Sequence, residues 1–107
     1  MYIYNITLSI DKSIHNEWLQ WIEPHINEVL ATGKFSEARL TKVLVNDANE
    51  ENTYSIQYRA KTRKDLDDYY LVFADKLRTD GMQKFGNKML AFRTELRMIK
   101  EFYPKEK

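Results

Sequence analysis

Along this chain the hydrophobic period switches back and forth between two residues and three to four, and that succession narrows the fold more than any single motif. The stretch YIYNITLSI alternates: Tyr2, Tyr4, Ile6, Leu8 and Ile10 point one way, and Ile3, Asn5, Thr7 and Ser9 the other. Period two in β-branched and aromatic residues predicts a strand with one strongly apolar face. From Ile14 the spacing becomes three and four, through Trp18, Trp21, Ile22, Ile26, Val29 and Leu30. This is the stripe of an amphipathic helix. Asp11 or Ser13 can cap it, and Gly33 is a good stop. Pro24 lies inside the stripe and is expected to kink the helix or split it.

Period two then returns. Phe35 to Val45 predicts a second strand, NDANEEN (Asn46 to Asn52) a polar hairpin connection, and Thr53 to Ala60 a third strand. In the third strand Tyr54, Ile56 and Tyr58 oppose Ser55, Gln57 and Arg59. Thr62 followed by Asp65 resembles a capping box with Asp in place of Glu. Leu66, Tyr69, Tyr70, Phe73 and Leu77 mark a second helix, which Gly81 or Gly86 ends. Lys88 to Ile99 predicts the last strand, with Leu90, Phe92, Leu96 and Met98 on one side and Arg93, Glu95 and Arg97 on the other. One domain over residues 1–103 is expected, with 104–107 as a tail.

The order β-α-β-β-α-β, joined by right-handed crossovers, predicts a ferredoxin-like α+β fold. It is a four-stranded antiparallel sheet with both helices on one face. Ile6, Leu8, Leu40, Leu44, Ile56, Tyr58, Phe92 and Leu96 are expected under the helices. The opposite face is expected to carry Asn5, Thr7, Ser9, Thr41, Val43 and Ser55, with Arg39, Gln57, Arg59, Arg93 and Glu95 as its larger polar groups. That face has two readings. It is an ordinary wet sheet surface, or two copies meet across it on a two-fold axis and enclose a polar-lined barrel. In the second case Arg39, Arg59 or Arg93 would pair with Glu37 or Glu95, or hold an anion.

Composition removes several function classes. A length of 107 residues suits one core. A formal charge of +1 gives no support to a nucleic-acid or anionic-membrane binder. No apolar run reaches the roughly 20 residues of a membrane span. The N-terminus alternates like a strand and is not read as a signal peptide. Cysteine is absent, so thiolate metal sites and Cys nucleophiles are excluded. The cytoplasm is the expected compartment. With three glycines, none in the required spacing, dinucleotide and P-loop signatures are missing.

The candidate chemistry sits in WLQWIEPHINEVL. Trp18, Trp21, Ile22 and His25 share one helical face, opposite Tyr2, Tyr4, Tyr54 and Tyr58. A pocket there would be aromatic with a few polar groups, as small-molecule sites are. Trp18, Trp21, Tyr4 and Tyr58 are the candidate lining, and His25 the candidate proton carrier. The alternative is a plain aromatic core. His15, in the first helical turn, is expected to be solvated or capping. His25 and Glu28 could give two metal ligands, but a catalytic zinc needs three, so neither a metal nor a cofactor is expected. Nucleic-acid binding by such a sheet needs aromatics on its open face, and the tyrosines fall on the other. Two functions remain: a homodimer that binds a small molecule, extending to a cofactor-free enzyme, or a non-catalytic dimeric protein-interaction module.

The strings MYIYNITLSID, SIHNEWLQWIEPHINEVLATGKF, YSIQY and KFGNKMLAFRTEL resemble a family of small bacterial proteins described as a domain of unknown function. The likeness runs from Met1 to about Phe102, and VLATGKF and AFRTEL carry most of its specificity. The family's fold is similar to the dimeric α+β barrels, which include cofactor-free monooxygenases, haem-degrading enzymes and stress-responsive small proteins. The resemblance therefore implies a dimer. It supplies no reaction and no catalytic residues.

Overall fold

In the computed structural model, which describes residues 1–44 and 52–105, the elements follow the predicted order. They are β1 (Tyr2–Ile10), α1 (His15–Ala31), β2 (Glu37–Lys42), β3 (Asn52–Ala60), α2 (Arg63–Val72), α3 (Ala74–Phe85) and β4 (Met89–Arg97). The antiparallel sheet has the order β2-β3-β1-β4, and the helices bury their apolar stripes on one of its faces. Most of the expected hairpin connection lies outside the described residues, and Asn52 opens β3. No helix among the described residues is long and apolar enough to cross a membrane.

Local chemistry explains most boundaries. Asp11 accepts a hydrogen bond from the Ser13 amide at 2.9 Å and caps a short 3-10 turn that leads into α1. Gly33 stops the helix at φ +77°, a conformation that favours glycine. Thr62 caps α2, its hydroxyl accepting from the Asp65 amide at 3.1 Å. Contrary to expectation, Pro24 does not split α1. Pro24 and Gln20 are both exposed, so the one backbone bond that the ring removes falls on the solvent side, where water can replace it.

The second helical stretch is divided at Phe73, and Gly86, at φ +57°, ends it rather than Gly81. The buried positions give the reason. Leu66 and Tyr69 are followed by Ala74, Leu77, Gly81 and Phe85. The step of five from Tyr69 to Ala74 does not fit a straight 3.6-residue helix. The break at Phe73 re-phases the stripe, while the Phe73 amide still bonds the Tyr69 carbonyl at 2.9 Å.

Register fixes the sheet faces. Tyr4 opposes Tyr58 and Ile6 opposes Ile56, so the tyrosines of β1 and β3 lie under the helices as expected. The last strand is the correction. Ile6 opposes Arg93, Tyr4 opposes Glu95, and Thr7 opposes Phe92. Directly opposed residues share a face, so Arg93 and Glu95 are on the helix side, and Phe92 and Leu96 on the open face. The expected assignment is reversed by one residue because β4 is an edge strand. Its exposed apolar residues Leu90, Phe92 and Leu96 face away from the core, while Met89 and Ala91 pack against it. β2 is shorter than expected, and Leu44, expected under the helices, is 89% exposed. Arg39, Gln57 and Arg59 keep their expected place on the open face, where Arg59 pairs with cross-strand Glu37 at 2.7 Å.

Candidate functional site

A cavity of about 420 Å³ lies between the helices and the sheet. Its floor is Tyr4, Ile6 and Leu8 of β1 and Ile56 and Tyr58 of β3. Period two brings these five to one face. Its roof is Trp21, Ile22, His25 and Val29 of α1, which recur at helical spacing, with Leu77, Arg78 and Gly81 of α3. Tyr69 of α2 and Arg93 of β4 complete the polar rim. Met82, Gly86 and Asn87 are exposed lining residues, so the mouth opens where the end of α3 meets the edge strand. The volume lies within the range of ordinary small-molecule sites.

Trp21, His25, Tyr4 and Tyr58 thus line one pocket. Trp18 does not reach it. It is fully buried, 4.8 Å from the Tyr54 ring, and its indole N–H donates to the Met89 sulfur at 3.3 Å. Trp18 belongs to the core. His15 is not simply solvated: its Nε2 lies 2.6 Å from the Tyr54 hydroxyl, which ties the start of α1 to β3. The barrel-face set is divided, with Arg39, Gln57 and Arg59 on the open face and Arg93 and Glu95 on the helix side.

Sequence reasoning missed Arg78 and Tyr69 as pocket residues. Arg78 follows Leu77 at the edge of the α3 stripe, where a charged side chain is usually solvated. Here its Nη2 donates to the Tyr4 hydroxyl at 2.9 Å, and its guanidinium lies 5.9 Å from the centre of the Tyr70 ring. Its Nε is buried without a hydrogen-bond partner among the described residues. Behind it Tyr4, Phe35, Tyr58, Tyr69 and Tyr70 form an aromatic cluster, with Phe35 4.8 Å from Tyr69 and Tyr4 5.4 Å from Tyr70.

Electrostatics set what these groups can do. The His25 ring stacks on Trp21 at 4.3 Å. Burial lowers its pKa below the ordinary imidazole value, outweighing the opposite pull of Glu28 and Asp80. His25 is therefore a neutral imidazole near neutral pH, able to accept a proton. Burial, with Tyr69 and Tyr4 beside it, raises the Tyr58 phenol well above its usual range. Burial likewise pushes Tyr69 up to about 12. Both phenols stay protonated and serve as hydrogen-bond donors. Glu95 is engaged elsewhere, paired with Arg63 at 2.6 Å. Among the described residues no cluster of His, Asp or Glu could hold a metal ion.

The comparisons with known proteins fit this architecture. A family model described as a domain of unknown function (DUF4286) matches residues 1–99. Curated protein sequences contain no match. Among solved structures, a dimeric ferredoxin-like protein from an uncultured marine organism is similar at a TM-score of 0.73 and 10% identity, covering 94% of this chain and 97% of that one. HapK from Hahella chejuensis is similar at a TM-score of 0.66 and 7% identity, covering 99% and 100%. A protein from Deinococcus radiodurans designated a candidate antibiotic biosynthesis monooxygenase is similar at a TM-score of 0.63 and 11% identity, covering 99% and 100%. At these identities the likeness is one of fold: four antiparallel strands with the helices on one face.

Proposed function

The chain belongs to that family of unknown function, and we propose that it is a homodimer whose protomers each bind a small, largely apolar molecule in the helix–sheet pocket. The cavity itself carries this reading. Close packing normally leaves few voids larger than a water molecule, yet about 420 Å³ remains between α1, α3 and the sheet. The lining is mostly apolar and aromatic, with the neutral His25 and the phenols as placed polar groups, the composition expected of a ligand site. If the protein is an enzyme, His25 is the group that takes a proton from the bound molecule. Tyr58 would orient the substrate as a donor.

The dimer rests on the open face. Leu90, Phe92 and Leu96 are 56%, 72% and 47% exposed there, an apolar stripe of the kind that marks an association surface. The similar marine protein, described as dimeric, supports a dimer. The cytoplasm is the compartment proposed, from the sequence reading alone. A role only as a protein-interaction module is the second reading, favoured by the same exposed stripe.

Native mass spectrometry of the protein as purified from cells weighs assembly and retained molecule together. A dimer with a stoichiometric adduct is the expected result. A clean monomer that takes up no apolar compound on addition would overturn the proposal.

A further inference from the structure

Two arginines border a cavity that has no acid in its wall. Arg78 and Arg93 both line it, and no aspartate or glutamate does. Among the described residues neither arginine forms an ion pair. The carboxylate on their side of β4, Glu95, is held by Arg63, and Asp80 on α3 is held by Lys76 at 3.2 Å. Both cations act on one phenol, that of Tyr69, where each opposes the upward push of burial. Arg78 is fixed by its bond to the Tyr4 hydroxyl and leaves its Nε buried without a partner. A buried unpaired donor costs free energy and is uncommon in native structures. An anion in the pocket would give that donor an acceptor and meet a second cation, Arg93, at the rim.

Building on the pocket proposed above, we infer that the bound molecule is an amphipathic anion: a flat apolar body with one oxyanion group, such as a carboxylate, held by Arg78 and Arg93. The guanidinium is the side chain suited to oxyanions because its planar donors match their geometry. The apolar body lies between Trp21 and His25 above and Ile6 and Ile56 below. Placed there, it sets the oxyanion toward α3 and β4, where the arginines are. The charge then selects ligands: a neutral molecule of the same shape leaves the buried Arg78 Nε without an acceptor.

Two fluorescent probes of like shape separate this inference from the pocket reading. Anilinonaphthalene sulfonate carries one sulfonate, and phenylnaphthylamine is its uncharged counterpart. Binding to the intact protein is titrated by fluorescence. The sulfonate is expected to bind about tenfold more tightly than the amine, the worth of one charged hydrogen bond. In Arg78→Met and Arg93→Gln that ratio should fall toward one, and Arg78→Lys should keep part of it. Circular dichroism melts show that each variant folds, and Arg93, being exposed on an edge strand, is the safer of the two sites. Equal affinities, or a sulfonate preference that survives both charge removals, would overturn the anion and leave the pocket standing. Binding of neither probe would overturn both.

Discussion

Tyr4→Phe removes one oxygen from the floor of the pocket. Tyr4 is 1% exposed, and its hydroxyl accepts from Arg78 at 2.9 Å. Without that oxygen one N–H of a cationic group loses its acceptor, next to an Nε that already has none. Hydrogen bonds to charged groups contribute about 1.5–3 kcal/mol. Arg78 is only half-buried and can turn partly to water, so the lower figure applies. A loss of about 1.5 kcal/mol lowers the melting temperature of a domain this size by about 6 °C or more. The double variant Tyr4→Phe/Arg78→Met is the control. Replacing both partners by apolar groups is nearly neutral, so the two changes should be strongly non-additive, with a coupling of about 1–2 kcal/mol in a double-mutant cycle. Urea denaturation of the four proteins measures it. A Tyr4→Phe cost under about 0.5 kcal/mol, or simple additivity, would refute the contact as a determinant of stability.

His25 gives a pH prediction. Burial holds its folded pKa below the unfolded value of about 6.5. The unfolded chain therefore binds more protons in that window, and stability falls as pH drops below about 6.5, levelling only once the folded imidazole is protonated. His25→Gln should flatten this slope, and melts between pH 8 and pH 5 compare the two; equal slopes would contradict it. Phe92→Glu should convert the dimer to a monomer with little change in the protomer's fold, because the side chain is 72% exposed. Analytical ultracentrifugation reads the assembly, and a dimer that persists would remove the open face as its interface.

Much of this arrangement was legible in the sequence, and the misses have physical causes. β1 and β3 are the inner strands, buried on the helix side, so their period-two pattern reports that side faithfully. For the same reason Tyr4 and Tyr58 could be placed under the helices and near Trp21 and His25. β4 lies at the edge, and its large apolar residues Leu90, Phe92 and Leu96 face outward, where simple alternation reads them as core. That inversion placed Arg93 and Glu95 on the open face. Trp18 shares the helical face of Trp21, but the sequence does not show which tryptophan a cavity touches and which the core absorbs. Arg78 was hidden because nothing local distinguishes a guanidinium bound to a buried phenol seventy-odd residues away from one in water. The break at Phe73 has no proline or glycine beside it and shows only in the five-residue step of the buried positions.

The most direct measurement is a methyl-resolved NMR titration of the protein with phenylnaphthylamine. The pocket predicts saturable shifts at Ile22, Ile56 and Met89, which line it, and little change at Ile3 and Leu96 on the open face. Shifts confined to Ile3 and Leu96, or none that saturate, would contradict a ligand site between the helices and the sheet.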